Sequence, residues 1–460
     1  MMQAQLQEFL AVFFSFKAYV MLPLIMLVIA LAVGLPLKRA LLGTVALAAG
    51  FAGVFIAFNF FVANISPAVQ QLSVVRGLDF PVLDVGWPPL AAITWASPLA
   101  AISIPLILVL NLLMLAAGWT RTIYIDIWNF WHFSLVGALV MASADSLWLG
   151  LSATLLLAAF CFKMAEWSSP DVEREMGLKG VAASPLSVNS WVPYAAAMDW
   201  VFDRIPGVRH LNYNPHNAAA KAADSDDLSL VDLLSEPMVI GLLMGLALAL
   251  AAGYGLKETL ELSVHMAAVM YLLPKSAGLI GEATMPITTA LRDQVARRFP
   301  SRQNLIVALD TGFLMGHKSV IMTGLILMAL AIVIALVLPG NQVLPLGDLP
   351  NLISIMSLSV LMFRGNVVRA VLAGIPVVVM FLLISSNMAP LFTELARKTP
   401  SFDAPATGLI TAFTDGGNPL RYFVYQLYQG HTWAVGAVGG VLLASVYAWR
   451  RCVRLSAPTL

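Results

Sequence analysis

Two short strings of this sequence repeat one unusual pattern, an acid set among apolar residues beside a glycine and an aromatic: Leu83-Asp84-Val85-Gly86-Trp87 and Leu309-Asp310-Thr311-Gly312-Phe313. Each is followed by an apolar stretch and a second polar cluster, Asp126-Ile127-Trp128-Asn129-Phe130-Trp131-His132 in the first half and Asn341 to Asp348 in the second. Ionisable side chains at membrane depth are costly, so the aspartates 84, 126, 310 and 348 point to a polar site between two related halves. Such a constellation suits the binding of a hydrogen-bonding substrate or the handling of an ion. A second reading of Asp84 and Asp310 is local: aspartate favours helix N-caps, and a half-helix could begin after each.

The solvent around these residues follows from composition. The chain has 460 residues, 60% hydrophobic and only 11% charged, with a mean hydropathy of +0.85. That is a polytopic membrane protein, since a soluble core of this length would need a more charged surface. A net charge of +1 gives no reason to expect nucleic acid. The two cysteines, Cys161 and Cys452, have no metal or redox spacing, and no metal or cofactor is expected.

Apolar stretches long enough to span a bilayer run at about 18–35, 41–63, 98–118, 146–164, 237–253, 259–281, 319–339, 367–390 and 432–449, with weaker ones near 128–144 and 351–363. About 11 transmembrane segments and an all-α fold are therefore expected. Segments 80–97 and 339–350 are too rich in proline and glycine to cross as simple helices and read as re-entrant or unwound. The expected organisation is a first membrane repeat over 1–164, a cytoplasmic connecting segment over 165–235, a second repeat over 236–391, and a C-terminal segment with the last helix over 392–460. Segment 64–79 carries one arginine, Arg76, whereas 283–304 carries Arg292, Arg297, Arg298 and Arg302. Under the positive-inside rule these equivalent segments face opposite sides, which makes the repeats inverted.

Several strings, in one order, are similar to a known family: Leu83-Asp84-Val85-Gly86-Trp87-Pro88, Thr94-Trp95-Ala96-Ser97, Asp126 to His132, Gly340-Asn341-Gln342-Val343-Leu344-Pro345-Leu346-Gly347-Asp348-Leu349, and Arg364-Gly365-Asn366. They resemble the galactitol-type enzyme IIC of the bacterial sugar phosphotransferase system and, more distantly, the ascorbate enzyme IIC. The resemblance implies a multi-pass protein of the bacterial inner membrane with a core transport domain, a V-shaped dimerisation domain, an elevator-like motion and a homodimeric assembly. It also implies a polyol substrate and a separate enzyme IIB, charged through enzyme IIA, that carries the phosphoryl group on a cysteine.

A hexitol offers a row of hydroxyls, so its pocket wants carboxylates and amides with an aromatic wall. Asp84, Asp310 and Asp348 would accept, Asn129 and Asn341 contribute amides, His132 takes either role, and Trp87 and Trp128 form the wall. Resemblance to the ascorbate protein adds Gly86 and Gly347. Asp126 and His317 are further candidates. His132 or Asp348 is the expected acceptor of the substrate's proton during phosphoryl transfer. An ion-coupled secondary transporter of a polyol or sugar is the rival reading, because duplicated aspartates in broken helices serve proton or sodium coupling equally well.

Overall fold

The structure is a computed structural model that describes residues 18–77, 80–124, 126–215, 233, 236–298, 305–314, 317–398 and 408–456. Arg302 and most of the polar stretch after His210 lie outside these. Among the described residues six helices are long and apolar enough to cross a membrane: Pro98–Ala117, Ile127–Ala144, Leu147–Met176, Lys318–Val337, Val367–Arg397 and Thr432–Ser456. The sequence sets several of their ends. Ser97 accepts from the Ala100 N–H with Pro98 at the first helical position, and Gly118 closes the helix in the left-handed region. Asn366 caps Val367–Arg397 by accepting from the amides of Val368 and Arg369.

Helices Ala18–Ala32, Leu37–Arg76, Pro237–Ala251 and Leu256–Arg298 pack on one another as one group. Their contacts are close where residues are small: a Cβ added at Gly241 would lie 2.6 Å from the Met266 carbonyl oxygen. The second group contains the remaining helices together with six short strands. These are β1 (Val82–Asp84), β2 (Thr122–Ile123), β3 (Val181–Ala183), β4 (Ile306–Leu309), β5 (Val343–Leu344) and β6 (Leu409–Thr411).

The fold is mostly helical, and the short strands are an addition to the all-α expectation. They form two parallel sheets, ordered β5-β1-β6 and β2-β4-β3. Val82 lies opposite both Val343 and Leu409, and Val307 opposite both Ile123 and Val181. The proline- and glycine-broken segments thus satisfy their backbone groups by pairing with one another inside the protein, which hydrocarbon would not allow them to do alone. The same succession of elements runs through both halves, yet each sheet has a central strand from one half and both outer strands from the other. The boundaries expected at 164 and 391 fall inside helices Leu147–Met176 and Val367–Arg397. The 165–235 segment also contributes β3 and the fully buried Ala182, Ala183, Leu186 and Val188 to the core.

Candidate functional site

Asp84 ends β1 and Asp310 immediately follows β4, each at the C-terminal edge of the central strand of its sheet. Both make the same local turn, in which the carboxylate accepts from the amide of the glycine two residues on, at 3.2 Å in each copy. The repeated Asp-x-Gly is therefore a turn-forming device first.

Beyond that turn the two copies diverge. Asp84 is fully buried. It accepts from the amides of Phe413 at 2.9 Å and Asp348 at 2.9 Å as well as Gly86, fastening three loops. Asp348 reciprocates, accepting from the Trp87 amide at 3.1 Å and from the Thr414 amide at 2.9 Å and hydroxyl. The Trp87 amide opens helix Trp87–Trp95, so its first turn is capped from the other half of the chain. Gly347 is required here because a Cβ would lie 2.5 Å from the Asp84 carbonyl oxygen.

Asp310 is exposed. Its Oδ2 accepts from the Asn129 amide at 2.9 Å. The same amide nitrogen donates to Asp126 at 2.8 Å, and the Ser184 hydroxyl donates to Asp126 at 2.6 Å. Asn129 thus ties a buried carboxylate to an accessible one. The short helical turn Ile127–Phe130 that carries it also brings Trp128 to Trp87, ring centroids 6.3 Å apart. The edges of both sheets thereby meet around residues 127–132.

A third set of residues completes the cluster. Arg421 donates to the Asp415 carboxylate at 2.6 Å, to the His132 carbonyl at 3.3 Å and to His132 Nδ1. Asn351 donates to Asp415 at 3.3 Å and to Thr414 at 2.9 Å. The Trp131 ring stacks between Trp87 and His132. Asp84, Asp126, Asn129, His132, Asp348, Asp415 and Arg421 are all buried.

The structure therefore gathers Asp84, Gly86, Trp87, Asp126, Trp128, Asn129, His132, Asp310, Gly347 and Asp348 around one junction. Two candidates lie elsewhere. Asn341 stands at the opposite, N-terminal end of β5, where its amide donates to the carbonyls of Ala335 and Val343 and accepts from the Val343 amide. His317 is buried beside the Arg364–Asn366 turn, 3.1 Å from where a Cβ on Gly365 would stand. Ser184, Asn351, Thr414, Asp415 and Arg421 are contributors that the sequence reading did not single out. Thr414-Asp415-Gly416-Gly417-Asn418-Pro419 was the available signal, an acid beside paired glycines and an Asn-Pro helix start.

Buried carboxylates and amides, with one carboxylate reaching an accessible junction between interlocked membrane segments, are the architecture of a membrane permease. A family profile described as the PTS system sugar-specific permease component (EIIC-GAT) matches residues 12–405, and the chain belongs to that family. The galactitol-specific EIIC components of the PTS system from Escherichia coli K12 and from E. coli O157:H7 are each 30% identical to it over 435 residues, covering 94% of this chain and 94% of the relative. With its membrane-length helices, the protein is a multi-pass protein of the inner membrane.

Proposed function

We propose that this protein is the translocating subunit for a galactitol-like sugar alcohol. The observation that carries the reading is the exposed Asp310 carboxylate, held by Asn129 at the junction where Trp87 and Trp128 adjoin. It supplies a charge-assisted acceptor beside aromatic walls, which is what a row of hydroxyls on a carbon chain requires. Asp84 and Asp348, fully engaged by backbone donors, hold the loops rather than the substrate. Arginine only donates, so His132 Nδ1 accepts from Arg421 and the ring's proton sits on Nε2. His132 then presents a donor to a substrate oxygen.

In this reading the polyol is phosphorylated by a separate enzyme IIB charged by enzyme IIA. The strand-bearing group of helices moves, elevator-like, against the four-helix group that forms the homodimer interface. Asp310→Asn should remain folded and bind galactitol more weakly by about 1.5–3 kcal/mol, measured by titration calorimetry on purified protein. Unchanged affinity would remove Asp310 from the site. Uptake into vesicles should be supported by phosphoenolpyruvate and the soluble partners with no ion gradient; dependence on a gradient would favour the ion-coupled reading.

The inverted arrangement has its own test. Cys161 and Cys452 are buried, which leaves a low labelling background. A cysteine at the exposed Val74 should react with an impermeant thiol reagent from outside, and one at the exposed Arg297 only from the cytoplasm. Labelling of both from one side would refute inversion.

A further inference from the structure

Away from the substrate junction, a cavity of about 850 Å³ is lined by Arg174, Arg204, Arg364, Arg450, Arg451 and Arg454. Its acids are already taken. Glu175, Arg174, Asp171, Arg451, Asp199, Arg369 and Asp203 form a continuous alternating chain with contacts between 2.5 and 2.9 Å, three positive charges against four negative. Arg204, Arg364, Arg450 and Arg454 remain. All four are exposed, and none forms an ion pair among the described residues. Arg204 instead lies over the Trp200 ring, 3.7 Å from its centroid.

Arg364 is held there at a cost. Its φ of 59° lies in the left-handed region that non-glycine residues rarely adopt, and strain of this kind persists where surrounding structure imposes it. Three contacts hold the turn: Arg174 donates to the Leu361 carbonyl at 2.8 Å, Arg451 to that of Met362, and Asn214 to that of Arg364 at 2.9 Å. The ion-pair chain thus acts as a frame that fixes this turn and sets a further guanidinium on the lining of a cavity already rich in them. The turn itself closes helix Asn351–Met362, the Arg364 and Gly365 amides donating to the Leu361 and Val360 carbonyls, and four exposed guanidinium groups without an acidic partner among the described residues around one cavity suit a multiply charged anion.

We propose that this cavity is a binding site for a phosphate-bearing anion, framed by Arg174 and Arg451 and contacted by Arg364, Arg450 and Arg454. The inference is independent of which sugar alcohol is carried. The basic residues place the cavity at the cytoplasmic face under the positive-inside rule. Two sources present the same chemistry there. One is a soluble phosphate ester. The other is the headgroup of an anionic lipid, because the exposed Leu442, Val446, Trp449 and Val453 run up helix Thr432–Ser456 toward the cavity's rim.

The test uses the full-length protein in nanodiscs. In neutral phosphatidylcholine discs, glycerol 3-phosphate is titrated and binding followed by ³¹P NMR. In discs containing phosphatidylglycerol, retained lipid is counted by native mass spectrometry. Wild type should bind one of the two, and the arm that responds identifies the source. Arg450→Gln with Arg454→Gln should weaken that binding by about tenfold per guanidinium removed. Arg364→Gly removes a charge while relieving the backbone, so it should lose affinity without losing thermal stability, an outcome that a merely structural arginine would not give. Lys398→Gln, an exposed charge elsewhere, should leave binding unchanged. Equal binding by wild type and the double variant, no binding of either anion by wild type, or a response of the variants to a cytoplasmic protein partner alone would overturn the proposal.

Discussion

Asp84→Ala should leave little folded protein. The substitution strands the amides of Gly86, Asp348 and Phe413, three donors from three loops that meet at one fully buried carboxylate. Each buried donor left without an acceptor costs about 1–3 kcal/mol, and relaxation will recover part, so a loss of about 3–6 kcal/mol is expected. That is at the severe end for one substitution. Asp84→Asn should be damaging as well, because an amide NH2 would face an N–H donor. The comparison with Asp310→Asn makes the test sharp: the same substitution in the twin motif should leave the melting temperature nearly unchanged, since Asp310 is exposed. Thermal melting followed by size-exclusion fluorescence measures both. An Asp84→Ala protein as stable as wild type would refute the fastening role.

Arg421→Ala is the second large effect. Arg421 and Asp415 are both buried and lie 2.6 Å apart. Removing one partner of a buried pair leaves an uncompensated charge, and about 3–5 kcal/mol of stability is expected to go with it. Replacing both, Asp415→Leu with Arg421→Met, should cost less than either single change, because no orphan charge remains. The double-mutant cycle in thermal or denaturant stability therefore carries the test: simple additivity would show that the pair is not a coupled unit. Arg421→Lys should keep the charge while losing the fork that reaches Asp415 and His132 together. Its polyol binding should fall even where its folding is rescued.

Much of the candidate site was legible in the sequence because acids in apolar surroundings are conspicuous whatever their role. What those acids do was not legible. Asp84 and Asp310 have the same neighbours by type, and only the strands on either side of each decide which is sealed and which is accessible. Asp415 and Arg421 were passed over because Gly416 and Gly417 break the apolar run, so the segment reads as a connection. In the folded chain those glycines permit tight turns, with a Cβ at either position 2.5 Å or less from a backbone oxygen. The strands were missed for a related reason. Two to four residues carry no period, and the partners of β1 lie in the other half of the chain. Helix positions were the easier part, since hydrocarbon imposes their length and composition.

The exchange of strands between halves also bears on how the protein is made. Asp84 emerges from the ribosome 329 residues before Phe413, the last of its donors. At about 5–20 residues per second, the interval is on the order of 15–65 s. The β5-β1-β6 sheet cannot close in that time, because β1 waits for both outer strands from the other half, whereas β2 and β3 wait only for β4 to join them. The first half cannot mature as an independent unit during synthesis. Insertion of its helices and completion of its core are separate events, and the second is timed by the arrival of the C-terminal segment carrying β6.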